Sequence, residues 1–188
     1  MKSFIALTLA AIVAADAAQD REDTFSSKQL NLDLAAKSFE VLTKDKGFMT
    51  PESMFWDKDS DTTFISNIAL PHDAKAGNGF ISKLTGKGGD RKLELKWLAK
   101  DLDAPKGLWA DKTNLWVTDI DVVKCFDKAT GELKKTFAFK GSEFLNDIRG
   151  DAAGNLYISD SGLNSKGVSS GGKKDAIYKL TKDGDDYK

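Results

Sequence analysis

From residue 39 onward apolar positions gather in runs of four to seven residues rich in Val, Ile, Phe, Trp and Thr, bounded by polar turn residues, a pattern that predicts β-strands. The predicted strands are Ser53–Trp56, Thr63–Ile68, Gly79–Leu84, Leu93–Trp97, Gly107–Ala110, Asn114–Thr118, Val122–Phe126, Leu133–Phe139, Asp147–Gly150, Asn155–Ser159 and Ala176–Leu180. Turn chemistry separates them, as in Asp-Lys-Thr-Asn at 111–114 and Asp-Ala-Ala-Gly-Asn at 151–155. Gly131 and Gly154 stand where such hairpins favour a positive φ. No stretch after residue 40 sustains a 3.6-residue period, so the expected class is all-β.

The strands fall into a repeat. Each copy is a short strand, an Asp-led turn and a second apolar strand ending in Ser/Thr/Asn-Asp chemistry. Aligned on Asp57, Asp111 and Asp151, the copies start 54 and then 40 residues apart, the spacing of β-propeller blades. The expected architecture is a propeller domain over 41–188 with about three blades of a probable six-bladed ring. Closed rings have at least four blades, so the chain is expected to be a piece of a longer protein. The alternative is half-rings that self-associate through open blade edges. Two insertions, 69–78 and 162–172, leave equivalent blade corners and should share one face.

The N-terminus reads differently. Lys2, the apolar run Phe4 to Ala15, and Ala15-Asp16-Ala17 fit a signal peptide over 1–18, which implies a secreted or periplasmic protein. A polar leader is expected over 19–40. Nothing later is long and apolar enough for a membrane span. With 28 basic and 29 acidic residues, charge gives no reason to expect a nucleic-acid partner. The mixed-charge tail from Lys182 reads as solvated. The single cysteine, Cys125, sits in an apolar strand and is expected to be buried and inert. A serine, cysteine or zinc hydrolase is disfavoured, because one His and one Cys leave too few parts. Trp56, Trp97, Trp109 and Trp116 are expected in inter-blade cores, and His72 in a surface loop.

The alignment also brings Glu52, Lys106 and Asn146 to one ring at the channel, with Asp147 following. These residues either cap strand ends and solvate the mouth, or supply hard oxygen donors for calcium or magnesium. The sequence Phe144-Leu145-Asn146-Asp147-Ile148, the hairpin from Asp151 to Asp160, and Pro51-Glu52-Ser53-Met54-Phe55-Trp56 resemble the gluconolactonase, regucalcin and paraoxonase superfamily of six-bladed propellers. The hairpin alone also resembles NHL-type propellers, which are binding modules. The first resemblance implies a channel divalent cation, most often calcium, and hydrolysis of a small-molecule lactone or ester. It makes Glu52 and Asn146 cation ligands and gives Asp147 a second-site role. Ligands from later blades are absent, so the chain alone is expected to be inactive or weakly active. A non-catalytic propeller that binds a protein or glycan, and strictosidine-synthase-like chemistry on the same fold, stay open at this point.

Overall fold

The computed structural model describes residues 41–43, 46–69, 75–164 and 168–188. The chain divides into Met1–Lys44 and Asp45–Lys188, and every sheet among the described residues lies in the second unit. The expected signal segment, the leader and His72 lie outside the described residues, as do parts of both insertions.

Three antiparallel meanders follow one another. Blade 1 is β1 (Pro51–Asp57), β2 (Thr62–Asn67), β3 (Phe80–Thr85) and β4 (Lys92–Leu98). Blade 2 is β5 (Pro105–Ala110), β6 (Asn114–Asp119), β7 (Val122–Asp127) and β8 (Leu133–Ala138). Blade 3 is β9 (Leu145–Gly150), β10 (Leu156–Asp160) and β11 (Ala176–Leu180). A short hairpin, β12 (Lys182–Asp183) with β13 (Asp186–Tyr187), comes last. All eleven predicted strands are present, with ends moved by at most two residues.

The Asp anchors make their turns by accepting local hydrogen bonds. Asp111 Oδ1 accepts the N–H groups of Thr113 and Asn114, and Asp151 Oδ1 those of Ala153 and Asn155. Gly131 and Gly154 take φ of 76° and 87° as their hairpins require.

Two large apolar cores and one small cluster, Ile68 with Ala104 and Ile120, lie between blades among the described residues. Phe64 and Ile81 of blade 1 pack with Leu108, Ala110, Leu115 and Val117 of blade 2. Trp116 and Val123 of blade 2 pack with Ile148, Leu156 and Ile158 of blade 3. Cys125 is buried in the second core, and burial pushes its thiol up to about 11. Trp97, Trp109 and Trp116 pack at these cores as expected. Trp56 does not. It is exposed and donates its indole N–H to Asp61 Oδ1 at 3.1 Å. The C-terminal tail also departs from expectation. It folds back as the β12–β13 hairpin, and Tyr187 meets Trp116 edge-on at 4.8 Å between ring centroids. An aromatic side chain that reaches an apolar core outweighs the charges around it.

Candidate functional site at the channel mouth

Every first strand carries a β-bulge at the same place. Pro51 pairs with Asn67 and Met54 with Ile65, so Glu52 and Ser53 together oppose Ser66. Pro105 pairs with Asp119 and Leu108 with Val117, so Lys106 and Gly107 oppose Thr118. Leu145 pairs with Asp160 and Ile148 with Ile158, so Asn146 and Asp147 oppose Ser159. A bulge re-aims side chains, and bulges concentrate beside functional sites. The aligned residues Glu52, Lys106 and Asn146 therefore each open a bulge at the same end of their strands. The two insertions leave β2 and β10 at that end too.

A hydroxyl opposite each bulge ties it down. Ser66 Oγ accepts the Ser53 N–H at 3.0 Å, and Ser159 Oγ accepts the Asp147 N–H at 3.0 Å. Thr118 instead donates its hydroxyl to the Asn146 carbonyl at 2.5 Å and so links blade 2 to blade 3. Gly107 permits that approach. A Cβ there would lie 2.4 Å from the Asn146 carbonyl oxygen and 2.7 Å from Asp147 Cα.

The residue after each hydroxyl anchors its blade. Asn67 Oδ1 accepts the Met49 N–H, and its amide nitrogen donates to Ser82 Oγ at 3.0 Å. Asp119 Oδ1 accepts the Ala104 N–H at 2.7 Å, while Oδ2 accepts the Asp103 N–H at 2.9 Å and the Lys124 ammonium at 2.7 Å. Asp160 is equally buried, and its Oδ1 accepts the Gly162 N–H. Its Oδ2 has no hydrogen-bond partner.

Electrostatics couples the mouth. Crowding by neighbouring atoms pushes the Glu52 carboxyl above its ordinary range, even though the side chain keeps contact with solvent. The Lys106 ammonium opposes that rise and the Asp147 carboxylate adds to it. Lys106 itself is fully buried. Its ammonium donates to the Ala104 carbonyl at 3.0 Å and stands 4.3 Å from the Phe144 ring centroid. Asn146 is half-buried and donates its amide N–H to Ser161 Oγ at 3.1 Å.

Three residues further along the strands lies a second ring of equivalents, Phe55, Trp109 and Arg149. Phe55 and Trp109 meet at 5.2 Å between ring centroids. The Arg149 guanidinium lies 5.8 Å and 5.9 Å from those rings and donates to the Leu108 carbonyl. Sequence reasoning missed this ring, the bulges and the anchor residues. The Ser/Thr-Asn/Asp pairs at 66–67, 118–119 and 159–160 were their visible signal.

The donors at the mouth fit a hard cation in kind: two carboxylates and an amide oxygen. In number they are few. Among the described residues no three His, Cys, Asp or Glu side chains gather closely enough to hold a metal ion.

No family model matches the sequence, and no curated protein matches it. Solved structures do match. One is a luciferin-regenerating enzyme, a propeller, at 13% identity with a TM-score of 0.50, covering 73% of this chain and 46% of that one. Another is a presumed gluconolactonase at 15% identity with a TM-score of 0.45, covering 63% of this chain and 44% of that one. This chain thus spans less than half the length of either. At such identity the first likeness speaks to architecture, and with the three bulged meanders it shows that this chain has the β-propeller fold.

Proposed function

We propose that this chain forms part of a lactonase-like propeller whose channel mouth binds a divalent cation, calcium by its donor chemistry, and hydrolyses a small-molecule lactone or related ester. The observation behind this reading is the repeated bulge, which sets Glu52, Asn146 and Asp147 at one end of the first strands. A carboxyl held above its usual range beside a second carboxylate gains most from an added positive charge. Glu52 and Asp147 would offer carboxylate oxygens. Asn146 would offer its amide oxygen, its nitrogen being committed to Ser161. When bound, the cation supplies Lewis-acid polarisation of an ester carbonyl. Thr118 and Gly107 hold the Asn146 backbone in place for that task. The apolar segment at 1–18 supports export to the periplasm or the medium.

Calcium titration by calorimetry tests the reading. Binding tighter than millimolar is expected, weakened at least tenfold by Glu52→Gln and by Asn146→Ala. Absence of binding, or variants that bind as the parent does, would overturn it. Lys106 favours a second reading, a non-catalytic propeller that binds a protein or glycan, because its ammonium already offsets the charge on Glu52. No calcium binding by the parent, with a titration that Glu52→Gln leaves unchanged, is the result that selects it.

A further inference from the structure

The first strands fix two positive charges beside the mouth. Apart from Asp57, which the Lys128 ammonium neutralises at 2.9 Å, β1, β5 and β9 carry four charged side chains: Glu52, Asp147, Lys106 and Arg149. The two carboxylates keep contact with solvent. Lys106 does not. It is 0% exposed and is held by the Ala104 carbonyl and the Phe144 ring. An ammonium buried in this way cannot swing out to water, so its charge acts on the mouth permanently.

Arg149 is held by different means. β5 packs between β1 and β9, yet the Arg149 guanidinium lies 5.8 Å from the Phe55 ring of blade 1 and 5.9 Å from the Trp109 ring of blade 2. It also donates from Nη1 to the Leu108 carbonyl at 3.3 Å, the one acceptor it has among the described residues. A side chain from blade 3 that meets a ring of blade 1 must run back across the first strands, away from the outer side of its own blade. Arg149 therefore stands on the channel side, where Glu52, Lys106 and Asn146 open their bulges. A guanidinium laid against aromatic rings is fixed in place and keeps its planar N–H fork for a carboxylate.

We propose that the channel selects an anionic lactone or ester, whose carboxylate Arg149 receives at the second ring while the ester group lies at the mouth. The proposal rests on the lactonase reading for the ester and on Arg149 for the carboxylate. Charge carries it. A divalent cation at the mouth would satisfy Glu52 and Asp147 and leave Lys106 and Arg149 as two unbalanced positive charges. A neutral ligand leaves that excess in place, whereas an anionic one reduces it. Position sets the rest. Arg149 follows Asn146 by three residues, at most roughly 10 Å along a strand. The carboxylate therefore sits on a short tail rather than on the lactone ring. Phe55 and Trp109, half-buried beside the guanidinium, suit the methylenes of that tail. The fork of the guanidinium suits the carboxylate at its end.

A matched pair of probes tests it on the whole chain. One is a γ-butyrolactam, which resists hydrolysis, carrying a propionate tail. The other is the same lactam with its tail as the primary amide. Calorimetry and tryptophan fluorescence follow binding near neutral pH, in calcium and again in chelator. In both buffers the propionate probe is expected to bind at least about tenfold tighter than the amide, the worth of hydrogen bonding between two charged groups. Arg149→Met, which keeps an apolar stem on the rings, is expected to erase that preference without changing the amide's affinity. Arg149→Lys is expected to retain part of it. Equal affinity for the two probes in either buffer, no binding of either, or a preference that survives Arg149→Met would overturn the proposal. The two readings fail separately. Calcium that does not bind the ligand-free protein defeats the cation reading, and a lost probe preference with calcium still bound defeats this one alone. Near-ultraviolet circular dichroism checks the fold of each variant, and the parent's own preference and Arg149→Lys decide if Arg149→Met does not fold.

Discussion

Equivalent anchor residues in blades 2 and 3 should respond unequally to the same substitution. Asp119→Asn replaces a buried carboxylate oxygen with an amide nitrogen that faces two donors, the Asp103 N–H at 2.9 Å and the Lys124 ammonium at 2.7 Å. The Lys124 side chain is mostly buried, so its charge is poorly compensated by water. Losing one partner of a buried ion pair costs about 3–5 kcal/mol. The lower end applies here, because Lys124 keeps the Asp101 carbonyl and the Asp103 carboxylate. At about 2–4 °C per kcal/mol for a domain of this size, a loss of about 3 kcal/mol lowers the melting temperature by roughly 6–12 °C. Asp160→Asn changes an oxygen that bonds to nothing, while Oδ1 keeps the Gly162 N–H. That substitution also restores the residue type that Asn67 provides in blade 1, so it should cost less than about 1 kcal/mol or stabilise slightly. Urea unfolding of both variants, followed by tryptophan fluorescence, gives the two numbers. Equal losses, or a larger loss at Asp160, would refute the view that these anchors are set by partner count rather than by repeat position.

Gly107→Ala should destabilise by about 1–3 kcal/mol or more in the same assay, since the added methyl meets the backbone of Asn146, Asp147 and Ile148 and forces blades 2 and 3 apart; a neutral result would contradict the close approach. Stability should fall as pH drops from about 4 toward about 2. Asp127 is held at about 2 by the Lys134 ammonium and by the N–H groups of Thr130 and Ala129, so the contribution of its ionised form is present above the unfolded value near 3.9 and is lost through the folded one. Lys134→Met should flatten that stretch of the urea-midpoint curve, and an unchanged curve counts against the assignment. Glu52 has the opposite sign: its folded pKa is raised, so ionisation disfavours the fold. Glu52→Gln should therefore stabilise modestly at pH 7 and make no difference below about pH 4, with an equal effect at both pH values telling against it. Cys125 should resist thiol reagents until the chain unfolds, as its burial and raised pKa require, and rapid labelling of the native protein would contradict that placement.

The sequence alone determined what is local. Short runs of strand-favouring residues and Asp-led turns act over a few residues, so strand order, hairpin chemistry and the blade repeat were all legible in it. The alignment of Glu52, Lys106 and Asn146 followed from that repeat, and the expectation that Cys125 is buried from the apolar strand it sits in. Tertiary structure decided what depends on a neighbouring blade. The bulges arise where Glu52-Ser53, Lys106-Gly107 and Asn146-Asp147 meet single residues on the second strands, a count that only cross-strand pairing reveals. Lys106 looked like its polar ring partners, yet it is buried beneath Phe144 and the Ala104 carbonyl, both outside its own strand. Arg149 joined Phe55 and Trp109 for the same long-range reason. Ile81 and Ile177 are one residue type at one repeat position. The first is sealed by blade 2 and the second is open, because burial belongs to the pair of surfaces that meet and not to the residue.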